Sequence, residues 1–158
     1  MASVISNLIE IHGIADMFPA CSKAFKQFQV QETLCIPPQK PDMEQMLSVN
    51  AKVEITKTTV IETSCGVSFE GQILTGKKLV IEGNLHQKIE YVADDPEQSV
   101  HAAHFVIPFS SYIVLGEHYN CSREYEVAGY IEDIYIRQVG KRKMFKNVIL
   151  LLHAVTRA

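Results

Sequence analysis

The stretch Leu74–Gly116, LTGKKLVIEGNLHQKIEYVADDPEQSVHAAHFVIPFSSYIVLG, decides the fold class. Leu79, Ile81, Gly83, Leu85, Ile89 and Tyr91 keep one parity across thirteen residues. Strand side chains alternate between faces, so the pattern predicts one long strand, or two strands joined at a bulge near Gly83. Asp94-Asp95-Pro96 then marks a turn, because aspartate initiates turns and proline cannot donate to a central ladder. His101, Ala103, Phe105, Ile107 and Phe109 resume the alternation in a second strand that continues or bends after Pro108.

The same signal extends outward in both directions. Upstream, Val49, Ala51, Val53 and Ile55 alternate with Asn50, Lys52, Glu54 and Thr56, and the β-branched run Thr58–Thr63 continues beyond a kink. Residues 65–76 carry three glycines and read as a loop or irregular hairpin. Downstream, Tyr125, Val127, Gly129 and Ile131 start another strand, and the parity then flips to Ile134 and Ile136. That flip predicts a bulge near Glu132-Asp133. Residues 140–143, GKRK, form a hairpin turn. Val148–Leu152 is apolar at every position, as expected of a strand covered on both faces.

Residues 1–35 are less regular and read as an N-terminal arm. Within it LIEIHGI has strand character, and Phe25–Ile36 alternates near its end in a way that suits pairing with the main sheet. Pro37, Pro38 and Pro41 make an extended connection, after which Asp42 is placed to cap one helical turn over Met43–Leu47. Strands joined by short turns, without alternating helices, predict an all-β chain. The expected architecture is an antiparallel β-sandwich or barrel-like domain over 36–158, with at most one or two short helices.

Composition sets limits on function. The chain has 158 residues, 47% hydrophobic and 21% charged, which fits a globular domain able to bury a core without staples. A net charge of −3 offers no overall positive field for nucleic acid. The apolar N-terminus lacks a basic n-region and is interrupted by Glu10, His12 and Asp16, so no signal peptide is expected. No run approaches the ~18 apolar residues of a membrane-spanning helix.

Candidate chemistry is sparse. His101 and His104 form H-x-x-H, but residues three apart in a strand face opposite sides, which disfavours a shared metal. Asp94, Asp95 and Glu97 lack the glycine and distal glutamate of a calcium loop, and Glu132-Asp133 diverge unless the bulge realigns them. Lys141, Arg142 and Lys143 read as exposed cations at a hairpin tip. Tyr91, Tyr112, Tyr125, Tyr130 and Tyr135 are either sheet packing or sugar-stacking rings. None of Cys21, Cys35, Cys65 and Cys121 forms a C-x-x-C pair. In a reducing cytosol they are free thiols. In an oxidising compartment all four become candidates for intersubunit disulfides, with Cys21 and Cys35 lying outside the main strand pattern. No catalytic, cofactor-binding or metal site emerges, so no enzyme is expected and no cofactor is called for.

Three strings, CIPPQKPDMEQMLSVNAKVEI, LTGKKLVIEGNLHQKIEYVADDPEQSVHAAHFVIPFSSYIVLG and YIEDIYIRQVGKRKMFKNVILLLHAV, resemble the SPOCS domain of sporulation proteins from endospore-forming bacteria. The front segment LIEIHGIADMFPACSKAFKQFQ resembles the lead-in of short, stand-alone members. The resemblance implies a β-rich interaction domain, made in the mother-cell cytoplasm and placed in the spore coat or exosporium. Its implied partners are itself, as a homo-oligomer, and other spore-envelope proteins, without nucleic acid or membrane insertion. Some long members end in a peptidoglycan-binding LysM module. No LysM-like segment is seen here, so binding that depends on it is not implied. A carbohydrate- or peptidoglycan-binding module is the alternative expectation.

Overall fold

The computed structural model describes residues 3–6, 8–20, 23–116 and 124–157. In chain order its strands are β1 (Val4–Ser6), β2 (Ile9–His12), β3 (Phe25–Cys35), β4 (Met43–Glu62), β5 (Gly66–Val67), β6 (Ile73–Leu74), β7 (Lys77–Ala93), β8 (Val100–Val114), β9 (Tyr125–Gln138) and β10 (Lys143–Thr156). Five strands form one sheet in the order β1-β2-β4-β7-β8, and three form a second in the order β3-β10-β9. The two sheets pack face to face around a common apolar core. β5 and β6 make a small separate hairpin, the irregular hairpin expected between 65 and 76. The all-β sandwich expected from alternation is present. One pairing departs from the antiparallel rule, since β2 runs parallel to β4.

β7 is a single uninterrupted strand. Leu79, Ile81, Leu85, Ile89, Tyr91 and Ala93 all point inward and are buried. Each leucine or isoleucine among them contributes roughly 1.5–3 kcal/mol relative to exposure. Gly83 shares that parity, and the Phe109 ring lies over it. A Cβ at 83 would come within 2.5 Å of that ring and of the Glu54 carbonyl oxygen. The irregularity foreseen near Gly83 sits on the partner strand: the β4 register slips between Ile55 and Lys57, leaving Thr56 as the extra residue.

The helical turn expected over Met43–Leu47 is instead the start of β4. Met43, Met46 and Val49 are all buried and face the core at intervals of three, which imitates helical spacing. Two further slips in the β4–β7 register, between Met43 and Gln45 and between Met46 and Ser48, produce those intervals. A bulge inserts one residue and advances the inward face by one position. The same device explains β9. Ile131 and Ile134 are both buried, and the register against β10 shifts between Ile149 and Leu150, so Glu132 is the extra residue. This is the bulge that the parity flip predicted.

Facing β7 across the core, β10 presents Met144, Val148, Leu150 and Leu152, all fully buried. The Phe28 and Phe109 rings meet between the sheets with centroids 5.4 Å apart. Leu151, on the outer face, is 6% exposed, between Tyr130 and Gln27 of the neighbouring strands. Ile149 on that face is only half-buried, so the outer side of β10 is covered incompletely. Within residues 1–35, β1 and β2 extend the first sheet and β3 forms an edge of the second. The chain leaves the first sheet at Gly13, where φ is +115° and a Cβ would collide with the Ala51 carbonyl at 2.2 Å. It then joins the second, with the Ala15 N–H donating to the Ile131 carbonyl at 2.9 Å.

Candidate interaction surfaces

Several polar groups singled out from sequence hold the ends of the sandwich. Arg142 donates to the Asp42 carboxylate at 2.8 Å and to the carbonyls of Pro37 at 2.8 Å and Ile36 at 3.4 Å. Lys141 pairs with Asp94 at 2.9 Å, and that carboxylate raises the lysine pKa. Lys141 and Lys143 are exposed at the β9–β10 hairpin tip as expected, while Arg142 and Lys141 also make that tip a clasp that ties the proline-rich corner to the β7–β8 turn. Within that turn, the Asp95 carboxylate accepts from Ser99 at 3.2 Å and Gln98 donates to Glu44 at 2.9 Å. Of the acidic residues of that turn, Asp95 thus serves turn geometry and Asp94 ties the turn to Lys141.

The histidine pair separates as strand geometry requires. His101 is half-buried, stacks on Tyr91 with centroids 5.9 Å apart and contacts Ser99 Oγ at 3.0 Å. His104 lies on the opposite face and is exposed. Glu132 accepts from Gln27 at 2.6 Å across the outer face. The tyrosines are dispersed. Tyr91 is wholly buried and donates to the Pro41 carbonyl at 2.9 Å. Tyr112 lies between the Lys26 and Lys78 amines, each 4.7 Å from its ring centre. Tyr130 meets Phe18 edge-on at 6.2 Å, and Tyr135 meets Phe145 at 6.3 Å. Cys35 and Cys65 are free and exposed, while Cys21 and Cys121 lie outside the described residues.

One feature escaped the sequence reading. Lys146 shares the inward parity of Met144, Val148 and Leu150 and is completely buried. Burial lowers its pKa to about 8, against the opposing pull of the Glu32 carboxylate 3.6 Å away on β3. Gln87, inward on β7, is 3% exposed and neither of its amide atoms has a hydrogen-bond partner. The signal was a lysine on the apolar parity of KMFKNVILLL.

Exposed apolar side chains gather at the ends and edges of the sheets. Ile5, Leu8 and Met17 flank the N-terminal strands, and Val67, Phe69 and Ile73 cap the β5–β6 hairpin. A largely apolar groove of about 550 Å³ opens between the crossing segment and the sheets, lined by Gly13, Met17, Val53, Gly129 and Tyr130 among others.

The sheet edges differ sharply. β8 carries Pro108 near its middle. The Leu115 N–H donates to the Lys77 carbonyl, so odd residues of β8 bond β7 and the Pro108 nitrogen faces the free edge, where its missing donor costs no ladder bond. β9 is broken by the Glu132 bulge and covered at Ile131 by Ala15. β1 has 3 residues. β3 has 11, with neither proline nor glycine and an unbroken register against β10.

The family model described as SipL, SPOCS domain, matches residues 42–139, well over half of the sequence. The chain belongs to the SPOCS-domain family. That membership gives it a sporulation-related role. Searches of curated proteins and of solved structures found no match. The match spans all of β4 to β9, so this SPOCS domain takes in the long β4-β7-β8 core of the first sheet, whereas β3 and β10 lie outside it. No helix among the described residues is long and apolar enough to cross a membrane.

Proposed function

We propose that this SPOCS-domain protein is a non-catalytic structural subunit of the endospore envelope, in the coat or exosporium, that associates with itself or with other envelope proteins. The observation that carries the reading is the distribution of unspent contact surface. Large apolar side chains stand exposed, and among the described residues the long β3 edge is unpaired. His101 is engaged in stacking on Tyr91, Asp95 in turn closure and Arg142 in the corner clasp. Contacts of this kind are those of a protein that joins others by strand addition and apolar packing.

Sedimentation velocity over a wide concentration range, with electron microscopy of the purified protein, tests the proposal. Concentration-dependent oligomers, sheets or filaments are expected. A protein that stays monomeric throughout, and is not retained by isolated spore-envelope material, would refute it. Retention on purified cortex polymer instead would favour carbohydrate binding.

A further inference from the structure

Among the described residues β3 is an unpaired edge, and that edge has a definite chemistry. The Ile36 N–H donates to the Arg142 carbonyl and the Ala154 N–H donates to the Ala24 carbonyl. Both bonds lie on the register that pairs Leu34 with Met144 and Lys26 with Leu152. Even-numbered residues of β3 therefore bond β10. In an antiparallel ladder the bonding direction alternates, so the N–H and C=O groups of Gln27, Gln29, Gln31 and Thr33 point to the free edge. Their side chains lie on the exposed outer face, while Lys26, Phe28, Val30 and Glu32 face inward and are half-buried.

Inward charges ordinarily protect an edge. Here Lys26, whose amine also lies 4.7 Å from the Tyr112 ring centre, and Glu32, which also faces the Lys146 amine at 3.6 Å, have opposite sign and stand three residues either side of Gln29. We infer that β3 pairs with β3 of a second copy of this chain, antiparallel about a twofold axis at Gln29. The idea rests on the self-association proposed above and assigns it a surface and a register. In that register Lys26 lies opposite Glu32 of the other copy, twice, and Phe28 lies opposite Val30. On the outer face Gln29 meets Gln29, and Gln27 meets Gln31, forming an uncharged amide ladder. A parallel arrangement would set lysine beside lysine and glutamate beside glutamate, so the charges choose the antiparallel one. A slip by two residues loses both ion pairs. The second sheets of the two copies become one continuous six-stranded sheet. Because the contact is isologous, it closes at a dimer. Further growth would use other surfaces.

Gln29→Pro is the direct test. The Gln29 N–H plays no part in the internal ladder, and proline is tolerated on an edge when its nitrogen faces outward. The variant is expected to keep the wild-type circular dichroism and urea midpoint yet sediment as a monomer where the wild type dimerises. Lys26→Glu sets like charges opposite each other twice per dimer and is expected to weaken dimerisation by roughly tenfold or more. Register is read by cross-linking, which does not depend on the proline variant folding. Gln29→Cys brings two α-carbons to about 5.5 Å, within disulfide reach, and should give an oxidised dimer. Gln31→Cys leaves its two thiols about 14 Å apart along the strand and should not. A wild-type dimer that survives Gln29→Pro, or that cross-links equally through position 31, overturns the β3 pairing and leaves self-association standing. A wild-type chain that never associates overturns both.

Discussion

Replacing Lys146 by methionine should stabilise this protein at neutral pH. The amine is completely buried on β10, has no hydrogen-bond partner among the described residues, and has a pKa lowered from 10.5 to about 8. At 1.36 kcal/mol per unit, keeping it protonated costs the folded state about 3 kcal/mol, an upper figure because Glu32 stays partly hydrated. Methionine fills a similar volume without a charge to desolvate. The sign follows from proton counting. Between pH 8 and 10.5 the unfolded chain holds a proton at this site that the folded chain has released. The penalty is therefore full below pH 8 and is relieved as pH rises to 10.5. Urea denaturation of wild type and Lys146→Met at several pH values isolates the effect, since the other titrating groups are common to both proteins. The variant should gain up to about 3 kcal/mol at pH 7, and the gain should fade towards pH 10.5. Lower stability at pH 7, or a difference that ignores pH, would show that the Glu32 ion pair outweighs desolvation and would refute the reasoning.

Glu32→Gln should act in the opposite direction. It removes the Glu32 counter-charge from beside Lys146, lowers the lysine pKa further and costs about 1–3 kcal/mol at pH 7 in the same titration. Gly83→Ala should cost about 1–3 kcal/mol, because a Cβ there meets the Phe109 ring and the Glu54 carbonyl at 2.5 Å; the urea midpoint reads it. Arg142→Ala should release the corner at residues 36–42. The expected loss is about 1–3 kcal/mol, with faster amide exchange at Ile36 and Met43, whose N–H groups bond the carbonyls of residues 142 and 141. Pro108→Thr should restore an outward donor to the β8 edge and increase aggregation by light scattering without changing the melting temperature by more than a few degrees.

Much of the fold was legible because strand periodicity is a local property. Alternation in β7 and β8 needs no knowledge of neighbours, and the Glu132 bulge announced itself through a parity flip within one strand. The start of β4 misled for a related reason. Asp42 after the prolines reads locally as a helix cap, whereas the two bulges that keep Met43, Met46 and Val49 inward on a strand arise from pairing with β7. The site was less legible. His101 and His104 could be set on opposite faces from strand geometry alone. The Arg142 clasp joins segments about a hundred residues apart and leaves no local trace.

What the sequence determined by itself is the class of the molecule: amphipathic strands that must bury one face, with family-specific strings along most of their length. Tertiary structure decided which strands became edges and which way their backbone groups point. It also decided where Lys146 lies relative to Glu32. Those facts arise from register and sheet order, which are set by contacts between distant segments competing for one core. A side chain's parity is written in its own strand, but its partner is written in another.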